Sequence, residues 1–151
     1  MKLVDLLPPE RVFVNIDIAE REQLLAFFAE KAGALGLVGS DECLQALTDR
    51  EELGSTGLGK GIAIPHARIP SLETPVAMLA TLARPIDFDA PDQEPIDIAV
   101  MLLLPKQSGE QIKVLSQVAR FARQDSVVDE LRRADTTEQV LVILADAEDD
   151  L

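Results

Sequence analysis

The run IDIAVMLLLP, residues 96–105, is almost continuously apolar, and the run VAMLATLA, residues 76–83, has the same character. A strand with one solvated face alternates apolar and polar residues, whereas a strand covered on both faces does not. The two runs therefore predict two strands in the middle of the fold, with helices packed on each side.

The sequence before these runs indicates one strand and two helices. RVFVNI, residues 11–16, reads as a short strand after a double-proline turn. Apolar residues then recur at helical spacing over residues 24–35, with Asp17 and Glu20 at the spacing of a capping box. A second helix is expected from Ser40 to a stop near Gly54.

The sequence after the runs indicates three helices. Ser108 and Ser126 are expected to cap the first two, and Thr136 with Gln139 has capping-box spacing at the start of the third. The acidic end, DAEDDL, is expected to be frayed. A single α/β sandwich with strands in the middle is the predicted fold.

Composition narrows the class of protein. The chain has 151 residues, 47% hydrophobic and only 3% aromatic, which predicts one domain with an aliphatic core. The single cysteine, Cys43, allows no internal disulfide and is expected to be a buried apolar residue. There is no signal-peptide pattern and no apolar run of membrane-spanning length, so a cytoplasmic protein that is not embedded in a membrane is expected.

Charge argues against a nucleic-acid partner, because the net charge is -13. The distribution is uneven: residues 50–133 hold 10 basic and 12 acidic residues, while residues 134–151 hold 0 and 6. A site for an anion is therefore expected in the middle of the chain.

The acids of the loop between the two apolar runs look at first like a cation site. They are Asp87, Asp89, Asp92 and Glu94. Their spacing does not follow a calcium loop, and the prolines among them mark ordinary turns. We therefore expect no metal there.

The glycine-rich stretch GSTGLGKGIAIPHARIP, residues 54–70, resembles a phosphate-binding P-loop in its first half. Gly61 stands where that motif needs a hydroxyl. The context is also reversed, since a P-loop leaves a strand and opens a helix, whereas here a helical segment precedes and a β-branched one follows. Nucleotide binding is therefore the weaker interpretation.

The second half of the stretch contains the only histidine, His66, which follows Pro65. We expect the proline to stop a short strand, GIAI, and to point His66 out of the sheet. A loop histidine without chemistry is one interpretation; metal binding lacks partner ligands, and no nucleophile is evident for a general base. A fourth role is nucleophilic attack on phosphorus by the neutral imidazole, with cations and backbone amides neutralising the phosphoryl oxygens. The nearby cations are Arg50, Lys60, Arg68 and Lys113.

The segment LTDREELGSTGLGKGIAIPHARI, together with ARPIDFDAPDQEPIDIAVMLLLP and VLSQVARFAR, resembles the type-2 (fructose/mannitol) IIA domains of the bacterial phosphoenolpyruvate-dependent phosphotransferase system, most of all the nitrogen-regulatory ones. The resemblance covers residues 3–146, leaving an acidic tail at residues 147–151. It implies a mixed β-sheet flanked by helices on both sides.

The resemblance also implies a phosphocarrier without a cofactor. His66 matches the histidine that accepts a phosphoryl group from an HPr-like protein, and Arg50 matches the arginine beside that group. The loop leading into the site is expected to bind phosphate through Ser55, Thr56, Gly57, Gly59 and Gly61. Lys113 stands where many members have a second histidine, and a lysine can still donate to phosphate but cannot relay a proton.

Three functions follow as hypotheses. The first is a regulator that binds target proteins, such as kinases or transporters, according to the phosphorylation state of His66. The second is a sugar-branch component that passes phosphate to a fructose- or mannitol-type IIB. The third is a binding module in which His66 performs no chemistry.

Overall fold

The computed structural model describes residues 2–106 and 110–149. Its helices are α1 (Arg21–Ala34), α2 (Ser40–Glu52), α3 (Glu110–Ala122), α4 (Asp125–Arg133) and α5 (Thr137–Asp149). Its strands are β1 (Val12–Ile16), β2 (Gly57–Gly59), β3 (Ile62–Ala63), β4 (His66–Arg68), β5 (Val76–Ile86) and β6 (Ile96–Leu104). Within these residues, no helix has the length and apolar character needed to cross a bilayer.

The six strands form one mixed sheet, with β5 and β6 at its centre. The order is β1-β5-β6-β3-β2, and β4 also pairs with β6. β5 and β6 are antiparallel, whereas β1 runs parallel to β5, and both β3 and β4 run parallel to β6. The two apolar runs are therefore the two central strands, and the predicted mixed sheet is confirmed.

Each face of the sheet packs against its own helices, as the continuous apolar character of β5 and β6 requires. Leu102 and Leu104 belong to the core formed with α3, α4 and α5. Met101 and Leu103 belong to the core formed with α1 and α2. Burying a side chain of this size contributes about 1.5–3 kcal/mol, so both layers of helices are held to the sheet mainly by aliphatic contacts.

The ends of the elements differ from expectation at the amino-terminal side. The capping box expected from Asp17 and Glu20 is absent: α1 begins at Arg21, and the Gln23 side chain accepts the amide of Ala19 at 2.9 Å. Gly33 lies inside α1, which ends one residue later at Ala34. α2 spans the expected residues, and Cys43 is fully buried in it as predicted.

At the carboxyl-terminal side, the capping box at the start of α5 is confirmed. Thr136 and Gln139 each accept the other's backbone amide on the side-chain oxygen at 3.2 Å. Ser126 is not a cap, because α4 already begins at Asp125, and Ser108 lies outside the described residues.

The expected fraying of the acidic end is wrong for the residues described. α5 continues to Asp149, and the Glu148 carboxylate is only 8% exposed. It accepts the backbone amides of Leu3 and Val4 at 2.7 and 2.8 Å. The fold therefore continues beyond residue 146, because a carboxylate in the last turn binds the amides at the start of the chain.

Candidate functional site

The glycine-rich stretch forms a β-hairpin rather than a P-loop. β2 and β3 pair antiparallel, and the residues between them, Lys60 and Gly61, both have positive φ. Paired positive φ values are typical of two-residue hairpin turns. Lys60 donates its amide to Asp92 and its ammonium to Asp125, each at 3.0 Å. No helix follows, and the lysine pairs with α4, so the P-loop interpretation is wrong.

The far end of the hairpin is held by Arg132 of α4. Its guanidinium donates to the carbonyl of Lys60 and pairs with Asp97 at 2.9 Å. A Cβ added at Gly61 would collide with this guanidinium, so a glycine is required there by space as well as by its φ of 85°. The Asp92 carboxylate accepts the amides of Glu94 and Lys60, and these hydrogen bonds lower its pKa.

His66 is the first residue of β4, so the expectation that the strand stops at Pro65 and the chain leaves the sheet there is wrong. The chain pairs with β6 through β3, breaks over Ile64 and Pro65, and pairs again from His66, which lies opposite Leu102. The proline has no amide to donate, but its carbonyl accepts the Leu102 amide at 2.9 Å. Pairing therefore resumes at once, and the ring of His66 is anchored by a strand.

The hydrogen bonds of the His66 ring assign its tautomer. Its Nδ1 lies 2.8 Å from the carbonyl oxygen of Ile64. A carbonyl only accepts hydrogen bonds, so in the neutral ring Nδ1 carries the proton and Nε2 keeps its lone pair. The ring is half-buried, and Nε2 is the nitrogen that keeps an unprotonated lone pair in the neutral ring.

Two adjoining cavities of about 500 and 290 Å³ share three lining residues: Arg50, His66 and Leu115. Arg50 lies in the last turn of α2, and its guanidinium donates to the carbonyl of Gly54 at 2.9 Å. Arg68 lines the larger cavity and donates to the carbonyl of Lys106 at 2.9 Å. The imidazole therefore shares its surroundings with two guanidinium groups.

The loop residues expected to bind phosphate divide into two groups. Ser55, Thr56 and Gly57 line the smaller cavity with His66. Gly59 and Gly61 line neither cavity among the described residues; they shape the hairpin turn, where an added Cβ would meet Asp92 or Arg132.

The polar groups of the loop already have partners within the protein. The Ser55 hydroxyl donates to the carbonyl of Phe88 at 2.7 Å and accepts the amide of Gly57 at 3.1 Å. Thr56 donates both its amide and its hydroxyl to the carboxylate of Glu51, at 3.0 and 2.5 Å. These groups fix the shape of the loop beside His66.

Glu51 was missed by the sequence reasoning, although a signal for it exists. It follows Cys43 and Leu47 at intervals of four, on the buried face of α2, and is only 7% exposed. An acidic residue on an apolar helical stripe is rarely buried unless it has partners. Its position predicts a buried hydrogen-bonding role.

Lys113 lies on α3, whose residues Leu115 and Ala119 line the cavities. Its side chain is exposed and does not line either cavity as these are described. Residues two apart on a helix do not face the same way, which explains why Leu115 faces His66 and Lys113 does not. The structure thus brings together His66, Arg50 and the loop, but not the lysine.

The fold and the site define a small α/β domain in which one imidazole, with Nε2 unprotonated in its neutral form, lines a cavity together with two arginines. Residues 5–147 match the family described as the phosphoenolpyruvate-dependent sugar phosphotransferase system, EIIA 2. The chain belongs to this family of phosphotransferase components, which confirms the resemblance seen in the sequence.

Individual relatives include both branches of the family. A nitrogen regulatory protein of Bradyrhizobium diazoefficiens is 34% identical over 146 residues, covering 96% of this chain and 95% of its own. A fructose-specific EIIA component of Haloferax volcanii is 33% identical, with 92% of each chain covered. The crystal structure of the nitrogen regulatory protein IIA-Ntr from Neisseria meningitidis superposes with a TM-score of 0.90 at 29% identity, covering 94% of this chain and 98% of that one.

Proposed function

We propose that the protein is a phosphohistidine carrier of the nitrogen-regulatory phosphotransferase system, which accepts a phosphoryl group on Nε2 of His66 from an HPr-like protein. The observation that carries the proposal is the 2.8 Å hydrogen bond between Nδ1 and the carbonyl of Ile64. It leaves Nε2 unprotonated at the ring edge, in a cavity wall that also contains Arg50.

The transfer is a displacement at phosphorus. The Nε2 lone pair forms the new N–P bond while the N–P bond to the donor histidine breaks, and its electron pair returns to the donor ring. Positioning and charge neutralisation supply most of the catalysis in such transfers. Arg50 and Arg68, which line the cavity with His66, are the groups suited to neutralise the phosphoryl oxygens.

The surroundings of the cavities support docking of a protein donor. Leu53 is 85% exposed and Leu58 is 45% exposed, and each lines one of the two cavities that share His66. Exposed apolar side chains at the edge of a polar site are typical of protein–protein contact surfaces. The HPr-like donor is the partner expected to cover them during transfer.

The regulatory output follows from charge. Phosphorylation adds nearly two negative charges at pH 7 beside His66. Target proteins, such as kinases or transporters, that contact this surface would meet two guanidinium groups in the unmodified form and a neutralised or negative site in the phosphorylated form. The similarity to a nitrogen regulatory protein supports a regulatory role rather than a role in sugar uptake.

The second candidate is the sugar branch, in which phosphate passes on to a IIB domain. The fructose-specific relative at 33% identity favours it. The nitrogen regulatory relative at 34% identity and the IIA-Ntr structure that superposes with a TM-score of 0.90 favour the regulator. Reconstitution with a fructose- or mannitol-type IIB separates the two, since a regulator is expected to transfer slowly or not at all.

The test of the proposed function is phosphorylation by phosphoenolpyruvate, enzyme I and an HPr-like protein. The product should be labile in acid and stable in base, and because His66 is the only histidine, it must disappear in His66→Ala. Arg50→Ala should slow acceptance by about 10²–10³-fold, the usual cost of one lost transition-state donor, and Arg50→Lys should slow it less.

Two results would contradict the proposal. Phosphate that persists in His66→Ala would place the acceptor elsewhere. A wild-type protein that never gains phosphate, yet binds target proteins, would favour the binding module.

A further inference from the structure

The carboxylate of Glu51 is a buried charge in the last turn of α2 that phosphoryl transfer does not itself use. Both of its described partners are groups of Thr56: the amide donates to one oxygen at 3.0 Å, and the hydroxyl donates to the other at 2.5 Å. A hydroxyl–carboxylate distance of this size is typical of a strong, charge-assisted hydrogen bond. The carboxylate therefore fixes Thr56 at two points.

The hydrogen bonds continue from Thr56 to the imidazole. The carbonyl of Thr56 accepts the amide of Ile64 at 3.0 Å, and the carbonyl of Ile64 accepts Nδ1–H of His66 at 2.8 Å. Three consecutive links thus connect Glu51 to the ring nitrogen whose protonation decides which nitrogen is nucleophilic. The second link holds Ile64, and the carbonyl of Ile64 selects the tautomer in the third.

The neighbouring residue holds the same loop at its other end. Arg50 donates to the carbonyl of Gly54 at 2.9 Å, while Glu51 holds Thr56 two residues further on. The connection from α2 to β2 is therefore fixed by two successive side chains of one helical turn. Since Arg50 also lines both cavities, the position of Thr56 affects the placement of the guanidinium as well as that of the ring.

We infer that Glu51 is a positioning residue that sets the tautomer of His66 and thereby its rate of phosphorylation; the second half of this inference rests on the proposed function. Without the carboxylate, two donors of Thr56 are left buried without their acceptor, which disfavours the observed loop. Ile64 then loses a fixed partner, its carbonyl no longer holds Nδ1–H, and the ring populates both tautomers.

The experiment reads the tautomer directly by long-range ¹H–¹⁵N correlation spectra. The single histidine gives one imidazole pattern, which is followed upward in pH until it no longer changes, so that the neutral ring is the form observed. Wild type should show protonated Nδ1 and bare Nε2. Glu51→Ala should shift the pattern to a mixture and slow phosphoryl acceptance at least tenfold, with Glu51→Gln intermediate because it retains one acceptor.

Glu52→Gln is the matched control, since this exposed neighbour carries the same charge but not the contacts to Thr56. It should leave the tautomer and the rate unchanged. Thr56→Val, which lacks the hydroxyl, should reproduce part of the Glu51→Ala effect. Thr56→Ser, which keeps the hydroxyl, should show the wild-type tautomer and rate. These variants keep the test informative should Glu51→Ala not fold, as judged by circular dichroism.

The outcomes separate the two proposals. A wild-type tautomer in both Glu51→Ala and Glu51→Gln overturns the positioning role, as does an equal shift in Glu52→Gln. If Glu51→Ala shifts the tautomer but the wild type is never phosphorylated, the proposed function is rejected and the positioning of the ring by Glu51 is retained. A shifted tautomer with an unchanged rate of phosphorylation overturns the link between ring orientation and transfer.

Discussion

Replacement of Glu148 tests whether the last turn of α5 holds the start of the chain in place. The carboxylate accepts the amides of Leu3 and Val4 at 2.7 and 2.8 Å, and Leu3 is fully buried. Glu148→Ala removes the acceptor, which leaves the buried amide of Leu3 and the partly buried amide of Val4 without this partner. Glu148→Gln keeps one acceptor oxygen but turns an NH₂ group toward the second amide.

The magnitude follows from these two bonds. A hydrogen bond to a charged group contributes about 1.5–3 kcal/mol, and a buried donor left unsatisfied costs about 1–3 kcal/mol. Since Val4 is only partly buried and water can reach its amide, we expect a loss of about 2–4 kcal/mol for Glu148→Ala and about half of that for Glu148→Gln. A loss of this size is a large part of the total stability of a small domain, about 5–15 kcal/mol.

Equilibrium unfolding in urea measures these losses, and Asp146 provides the matched control. Asp146→Ala is the control for Glu148→Ala, and Asp146→Asn is the control for Glu148→Gln. Each control removes the same charge from an exposed position on the same helix and should change the free energy of unfolding by less than about 0.5 kcal/mol. If Glu148→Ala loses no more stability than Asp146→Ala, the carboxylate does not hold the two amides in solution and the reasoning fails.

Two further predictions concern the interior. Gly57→Ala should distort the loop beside His66, because the added Cβ would lie 2.7 Å from the Cβ of Ala90 and 3.1 Å from the Cα of Ala90. The NMR shifts of the histidine ring should therefore change. Gly39→Ala is the control and should leave these shifts unchanged, because a Cβ at Gly39 would enter open space. Burial raises the pKa of Cys43 to about 11 from 9.0, so the folded protein should hold about a hundredfold less thiolate at pH 8 than an exposed cysteine and resist alkylation until urea unfolds it. Because folding retains the thiol proton between pH 9.0 and about 11, stability should fall as pH rises through that window, and Cys43→Ala should abolish this contribution to the slope.

The centre of the fold was predictable from the sequence because β5 and β6 are covered on both faces. Burial of both faces leaves a continuous apolar run that no exposed element would carry, and such a run needs no knowledge of distant partners. The helices were predictable to within a few residues because each buries one stripe of apolar side chains, which recur at helical spacing in the sequence. The first residues of α1 and α4 were not: Ser126, for example, has the chemistry of a cap, yet α4 begins one residue earlier.

The short strands of the site depend on distant partners and were not predictable in detail. β2 consists of Gly57, Leu58 and Gly59, which show no alternation. β4 begins directly after Pro65 because the carbonyl of the proline still accepts an amide of β6, so the missing N–H does not end the pairing. His66 was recognisable as a site residue because it is the only histidine and lies in a long, specific motif, but its place in a strand was not.

The tertiary contacts of two carboxylates explain why their burial was not predicted from the sequence. Glu51 and Glu148 both read locally as solvated helix acids, and both are buried because backbone amides from another segment reach them. For Glu51, the helical stripe shared with Cys43 and Leu47 is a usable signal. Glu148 accepts amides from the opposite end of the chain, and a local pattern contains no information on such a contact.

The same contacts change how the proposed phosphoryl site must work. Backbone amides of the glycine-rich loop were expected to hold the phosphoryl oxygens, but those of Thr56, Gly57 and Lys60 already donate to Glu51, Ser55 and Asp92. Breaking these bonds would also loosen the peptide of Ile64 that orients the ring. Charge neutralisation in the proposed carrier therefore falls to side chains, with Arg50 and Arg68 best placed for it. In this proposal the glycines of the loop shape the hairpin that positions His66, and the two arginines attract the phosphoryl group.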